Sequence, residues 1–284
     1  MSICFLNGDF VPRAEARISP LDRGFLFGDG VYEVIPVYGR RPFQLGAHIA
    51  RLEKSLAGIR LTNPYTAGEW AELVKRLVEA HPWPEQAIYL QVTRGADTAR
   101  NHAFPKDVPP TVFMMADPLA AVPDEQMQNG VAAVSAVDNR WLRCDLKTTA
   151  LLANCLLRQL AVEQGCAETV LFRDGFLTEG SASNIFVVKD GVLLAPPRSH
   201  LMLPGITYDV VLHLARKHGQ PVEVRDIAED EVRSADELWL TSSTKEVLPI
   251  TQLDGQPIGS GRPGPVTLKQ HGWYQLAKAS GELA

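Results

Sequence analysis

Apolar positions change period several times along this chain, from alternation to helical spacing and back. Residues Ile3 to Leu6, a turn at Asn7-Gly8-Asp9 and then Phe10-Val11 read as a hairpin. The glycine-rich passage from Arg23 to Gly30 leads into a predicted strand from Val31 to Tyr38, and Gly39-Arg40 turns the chain. Leu45, Ile49, Leu52, Leu56 and Ile59 recur at intervals of 4, 3, 4 and 3, which lines one face of an amphipathic helix. A second helix is expected from a Thr66 cap through Trp70, Leu73, Val74, Leu77 and Val78, ending before Pro82. Strands are predicted at Ala87 to Thr93 and at Thr111 to Ala116.

The proline-punctuated stretch from Asp117 to Glu125 reads as an interdomain linker. Beyond it the pattern predicts a strand at Val131 to Val137 and a long helix from about Thr148 to Glu163. Short strands follow at Thr169 to Arg173, Ile185 to Lys189 and Val192 to Ala195. A helix from Tyr208 to His218, strands near Val222 and at Glu237 to Thr241, and a last helix before the C-terminus complete the series. Many short mixed strands beside a few helices indicate an α+β chain of two domains, residues 1–118 and 119–284, rather than one doubly wound sheet.

A length of 284 residues suits two such domains, and 45% hydrophobic with 21% charged residues is ordinary for a globular protein. Lys and Arg total 28 against 33 Asp and Glu, a formal charge of −5, so no basic footprint for nucleic acid is present. No stretch approaches the ~18 apolar residues of a membrane span, and no export signal is visible at the N-terminus. Four scattered cysteines without a CxxC pair argue against a zinc site and a disulfide frame, and point to a reducing cytoplasm.

Four segments could carry chemistry. Lys147 lies in Arg140-Trp-Leu-Arg-Cys-Asp-Leu-Lys147, ahead of an apolar helical run. Taken alone it reads as a snorkelling surface lysine; the sharper reading is an amine that attacks a carbonyl. In Leu203-Pro-Gly-Ile-Thr207, Gly205 permits close backbone approach, Thr207 is read as the cap, and the helix start offers an anion site suited to phosphate. Thr241-Ser-Ser-Thr244 adds hydroxyl donors; either segment alone is an ordinary cap or loop. Glu179, before a Gly/Ser turn, is either an exposed acid or a fixed carboxylate for a protonated ring nitrogen. Arg100 and His102 alternate, so in an extended loop both face one way and could clamp a carboxylate, whereas the plain reading is an exposed basic loop.

These motifs together resemble one family. Arg23-Gly-x-x-Phe-Gly-Asp-Gly-Val-Tyr-Glu-Val, Arg140 to Lys147, Thr178-Glu-Gly-Ser-x-Ser-Asn184 and Gly205-Ile-Thr are similar, in order and over nearly the whole chain, to the class IV (fold type IV) pyridoxal-phosphate aminotransferases. The Arg100/His102 pair and the Val31 to Val34 motif lean towards the bacterial D-amino acid aminotransferases within it. The resemblance implies a small N-terminal α/β domain and a larger C-terminal mixed α/β domain carrying Lys147 and most contacts to pyridoxal 5'-phosphate. It implies that Lys147 forms the Schiff base and shuttles the proton, and that Glu179 bonds the pyridine nitrogen. Arg51, Ile206, Thr207 and Ser243 would hold the phosphate, and Leu203 would buttress the ring. Ser183, Asn184, Gly205 and Ser242 complete the implied cofactor set. Tyr32, Arg100 and His102 would bind the substrate carboxylate, with the Arg100/His102 loop supplied by the neighbouring subunit of a homodimer.

The implied reaction moves the amino group of a D-amino acid, such as D-alanine, to a 2-oxo acid such as 2-oxoglutarate, with no metal, nucleic acid or membrane partner. Two alternatives share the fold, a branched-chain L-amino acid aminotransferase and an aminodeoxychorismate lyase. A third, of another class, is a non-catalytic phosphate-ligand binder built on Gly205-Ile-Thr alone, which leaves Lys147 and Glu179 without a purpose.

Overall fold

Alternating apolar residues and one pair of amphipathic helices build the first part of the chain in the computed structural model, which describes residues 2–281. Its elements are β1 (Ile3–Leu6), β2 (Asp9–Pro12), α1 (Arg23–Phe27), β3 (Gly30–Tyr38), β4 (Arg41–Pro42), α2 (Leu45–Gly58), α3 (Ala67–Glu79), β5 (Gln86–Thr93) and β6 (Thr111–Pro118). The strands form one antiparallel sheet in the order β2-β1-β6-β5-β3-β4. Helices α2 and α3 bury their apolar stripes, Ile49, Leu52 and Leu56 on one and Trp70, Val74 and Leu77 on the other, against the sheet residues Val31, Ile35, Ile88, Leu90 and Met114. Thr66 caps α3 as the sequence indicates, in a reciprocal capping box with Glu69.

The second part contains α4 (Asp124–Asn129), β7 (Val131–Val137), α5 (Leu152–Glu163), β8 (Glu168–Arg173), β9 (Phe176–Gly180), β10 (Asn184–Lys189), β11 (Val192–Ala195), α6 (Ile206–Lys217), β12 (Val222–Val224), α7 (Glu229–Arg233), β13 (Glu237–Ser242), β14 (Glu246–Leu253), β15 (Gln256–Pro257) and α8 (Pro265–Ser280). Its mixed sheet runs β12-β11-β10-β13-β14-β7-β8-β9, with β15 on β14. Pairs β11/β12, β14/β7 and β7/β8 are parallel and the remaining neighbours antiparallel. Ile185, Val187, Leu238, Leu240, Leu248 and Ile250 form the centre of its core.

The chain divides into two units after Ala120, close to the expected linker, but Leu146–Leu151 belongs to the first unit. A linear division places Lys147 in the second domain; in the structure the first unit holds it. The long helix also starts later than its periodicity suggests. Thr148 forms a β-bridge with Val31, so the residues ahead of Leu152 lie along β3 in tight turns instead of opening the helix. Strands β4, β9, β14 and β15 and helices α1, α4 and α7 do not appear in the sequence reading. The helices are five or six residues long, too short for a period to register. No helix among the described residues is long and apolar enough to cross a membrane.

Candidate active site

In the first unit, β3 presents two different faces. Val31, Glu33, Ile35 and Val37 are buried against the helices, while Tyr32 and Val34 alternate to the other side. The segment carrying Lys147 is pinned along β3. Tyr32 N donates to Lys147 O at 2.9 Å, Lys147 N donates to Ser55 Oγ at 3.2 Å, and Thr149 N donates to Gly30 O at 3.0 Å. The Lys147 ammonium lies 4.3 Å from the centre of the Tyr32 ring, which in turn stacks on Tyr89 at 5.7 Å. A partly buried lysine amine is thereby fixed beside a phenol, two of the residues the sequence singles out.

Glu33 is an acid on a core face, and the fold provides it with partners from α2. It accepts from Arg51 Nε at 2.7 Å and Arg51 Nη2 at 2.8 Å, and His48 Nδ1 lies 2.8 Å from Oε2. Burial acts to raise the Glu33 carboxyl, but the Arg51 guanidinium and His48 outweigh it and hold the group at about 2. Burial keeps the His48 ring neutral, its pKa lowered despite the carboxylate, so it donates from Nδ1. Arg51 is therefore oriented by a buried carboxylate. Sequence reading selects Arg51 and misses Glu33 and His48; a charge within the alternation of an apolar strand was the available signal.

Arg100 and His102 lie on an exposed irregular loop of the same unit. Both meet Phe27, with the Arg100 guanidinium carbon 5.0 Å and the His102 ring 5.3 Å from its centre. The two side chains therefore rest on the same ring.

The second unit holds Glu179 in β9, buried, not on an exposed turn. Arg140 Nη1 donates to Glu179 Oε1 at 2.6 Å, while Leu203 N at 3.0 Å and Asn184 Nδ2 at 3.2 Å donate to Oε2. Arg140 is itself fixed by Asp138, through Nε–Oδ1 and Nη2–Oδ2 contacts of 2.9 Å, and Thr178 and Arg173 close around that second acid. Burial pushes the Glu179 carboxyl up to about 7, with Arg140 and the Leu203 N–H pulling the other way. Arg140 and Asp138 have no assigned role in the sequence reading, although Arg140 opens one of its motifs and Asp138 lies two residues ahead.

Asn184 Nδ2 also donates to Leu203 O at 3.0 Å, tying Glu179, Asn184 and Leu203 into one cluster. Gly205 is the N-cap of α6, without a side-chain cap bond, and Ile206 and Thr207 form the buried first turn. Thr207 is thus inside the helix, a correction to its reading as the cap: its backbone is already helical. A Cβ on Gly205 would fall 2.0 Å from Asn184 Oδ1, so glycine is what the cluster admits. Thr241 pairs with Asn184 across β10 and β13, and its buried hydroxyl has no hydrogen-bond partner among the described residues. Ser242 ends β13 and Ser243 opens the following turn. Ser183, counted with the cofactor set, donates its hydroxyl to Glu168 Oε2 at 2.6 Å, and Ser181 bonds the same acid.

Each unit thus carries ionisable groups held by buried partners, the arrangement expected of a reaction centre. Residues 30–253 match the profile of the family described as Amino-transferase class IV. A D-alanine aminotransferase of Bacillus licheniformis is 43% identical over 267 residues, 94% of this chain and 93% of that protein. A solved branched-chain amino acid aminotransferase of Escherichia coli superposes with a TM-score of 0.89 at 26% identity, covering 100% of this chain and 95% of that one. Another branched-chain enzyme, solved with pyridoxamine 5'-phosphate, gives 0.91 at 29% identity over 98% and 94%. The family match, the near-full-length similarity and the superposition agree, and the chain belongs to the class IV aminotransferase family, with the type IV fold.

Proposed function

We propose that this aminotransferase uses pyridoxal 5'-phosphate to move the amino group of a D-amino acid, such as D-alanine, to a 2-oxo acid such as 2-oxoglutarate. The observation that carries the reading is that Arg100 and His102 both rest on the Phe27 ring, in a chain 43% identical to a D-alanine aminotransferase. Taken unit by unit, the donors have the chemistry the cofactor needs. Lys147 supplies an amine for its carbonyl carbon and Glu179 a buried carboxylate for its ring nitrogen. The start of α6 at Ile206 and Thr207, with the unpartnered Thr241 hydroxyl and Ser242 and Ser243, offers donors for its phosphate. Arg51 adds a guanidinium held in place by Glu33, and Leu203 an apolar side chain beside the Glu179 cluster.

When bound, the cofactor draws the electrons of the substrate Cα–H bond into its ring. Lys147 Nζ takes the Cα proton and returns it on the product side, so one amine serves as both base and acid. Glu179, near neutrality and fixed by Arg140, Asn184 and the Leu203 N–H, holds a proton at the ring nitrogen throughout. Arg100, His102 and Tyr32 bind the substrate carboxylate and so select which hydrogen faces the lysine. We read the protein as a homodimer in which the Arg100/His102 loop serves the other subunit's substrate. Exposed Leu152 and Leu156, one turn apart on α5, support a buried surface in the assembly. Four free cysteines support a reducing, cytoplasmic setting.

The test is the visible absorbance of the yellow, cofactor-loaded enzyme before and after D-alanine or L-leucine in separate cuvettes. Bleaching by D-alanine alone is expected. Bleaching by L-leucine alone refutes the D-specific reading in favour of a branched-chain enzyme. Pyruvate release from aminodeoxychorismate, with no acceptor required, refutes it in favour of the lyase.

A further inference from the structure

The loop that carries Arg100 and His102 has few bonds of its own, yet it is held by a buried charge cluster that the reaction does not use. Its base is closed: Arg23 N donates to Gly95 O at 2.9 Å, and Gly95, at φ +84°, sits so close that a Cβ would fall 2.0 Å from Pro109 O. Within the loop, the side-chain bonds are short-range ones, Ala103 N to Asn101 Oδ1 and Thr98 to Asp97. What shapes the middle of the loop is Arg23, 3% exposed. Its Nη1 donates to Asn101 O and, at 3.2 Å, to Ala103 O, while Nη2 donates to His102 O at 3.2 Å. Three successive carbonyls thus point at one guanidinium.

Asp29 locks that guanidinium. It accepts from Arg23 Nε at 2.8 Å on Oδ2 and takes Arg94 on both oxygens, at 2.8 and 3.0 Å. Arg94 in turn lies 3.6 Å from the centre of the Phe104 ring and donates to the carbonyls of Ile59 and Arg60 at the end of α2. Arg23 also flanks Phe27, at 4.8 Å, the ring on which Arg100 and His102 rest. A planar fork with five fixed donors is the side chain that can hold consecutive carbonyls and an acid at once; an ammonium cannot. Fixing the carbonyls of 101, 102 and 103 fixes the backbone around His102, and with it the directions of both recognition side chains.

We propose that Arg23, locked by Asp29, is a positioning residue for substrate recognition: it sets the Asn101–Ala103 backbone so that Arg100 and His102 present their donors to the substrate carboxylate. This rests on the reading of Arg100 and His102 as the carboxylate clamp. The test compares Arg23→Met, Arg23→Lys, Arg100→Ala and the Arg23→Met/Arg100→Ala double variant as cofactor-loaded enzymes. KM for D-alanine and for 2-oxoglutarate is expected to rise roughly tenfold or more in Arg23→Met, with kcat changed much less and the yellow absorbance unaltered. Arg23→Lys, which keeps the charge beside Asp29, should recover only part of the loss. The double variant should be no worse than Arg100→Ala, because both changes disable one device. Trypsin cleavage after Arg100 should accelerate in Arg23→Met.

Equal KM values in Arg23→Met and the unmodified enzyme, with a raised KM in Arg100→Ala, overturn the proposal and leave the clamp standing. Additive losses in the double variant also overturn it, since Arg23 would then act elsewhere. An unchanged KM in Arg100→Ala overturns the clamp and the proposal together. If Arg23→Met fails to fold, the same comparisons are read from Arg23→Lys.

Discussion

Replacing Glu33 by glutamine tests how much of the first unit depends on one buried charge. Glu33 is 1% exposed and bonded to Arg51 and His48, and its carboxyl is held at about 2 instead of the ordinary 4.5. At about 1.4 kcal/mol for each factor of ten, that preference for the ionised form amounts to about 3 kcal/mol at neutral pH. A similar figure, ~3–5 kcal/mol, is typical when one member of a buried ion pair is removed and its partner is left uncompensated. Glu33→Gln is therefore expected to lower the unfolding free energy by about 3 kcal/mol at pH 7, as measured by urea titration followed by circular dichroism. The sign with pH follows from the folded group having the lower pKa. Its stabilisation is fully present above about 4.5 and is lost as pH falls towards about 2, so the two proteins should converge over that window. His48, whose pKa is lowered by burial, adds a separate loss that begins as pH falls below the ordinary 6.5 and persists in the variant. A difference under about 1 kcal/mol at pH 7, or one that does not shrink in acid, refutes the reasoning.

Three further outcomes are expected. Lys147→Ala should abolish transamination by several orders of magnitude and remove the yellow absorbance, while circular dichroism stays unchanged, because in the proposed reaction its amine is the group that reacts. Glu179→Gln should lower kcat on the order of a hundredfold with a smaller change in cofactor affinity, since an amide cannot hold the ring-nitrogen proton; stopped-flow half-reactions with D-alanine measure it. Gly205→Ala must displace the Asn184 amide, whose Nδ2 is committed to Glu179 and Leu203, so titration with pyridoxal phosphate should give a Kd raised at least about tenfold. An alanine variant that binds as tightly as the parent would mean that the α6 start does not contact the phosphate.

The sequence by itself determined the long elements and named the candidate groups of the proposed reaction. Alternation and helical spacing in β3, α2, α3, β5 and β7 are imposed by burial of one face, a constraint that leaves its period in the residues. Lys147, Glu179 and the Arg100/His102 pair were legible as candidates because an amine, a carboxylate and a basic pair in those motifs have few plain explanations when taken together, whereas Arg51 came only from the family resemblance. The short helices α1, α4 and α7 left no period, and β9 was masked by the motif it contains. Only the tertiary structure decided the partners. That Glu33 is satisfied by α2, that Arg140 reaches Glu179, and that Arg23 holds the Asn101–Ala103 carbonyls depends on segments far apart in the chain. It also decided that Lys147 packs with the first unit, because the residues before α5 pair with β3 rather than continue the helix. Local patterns record which face of an element is buried; which acid meets which base is set by long-range packing, and no local spacing encodes it.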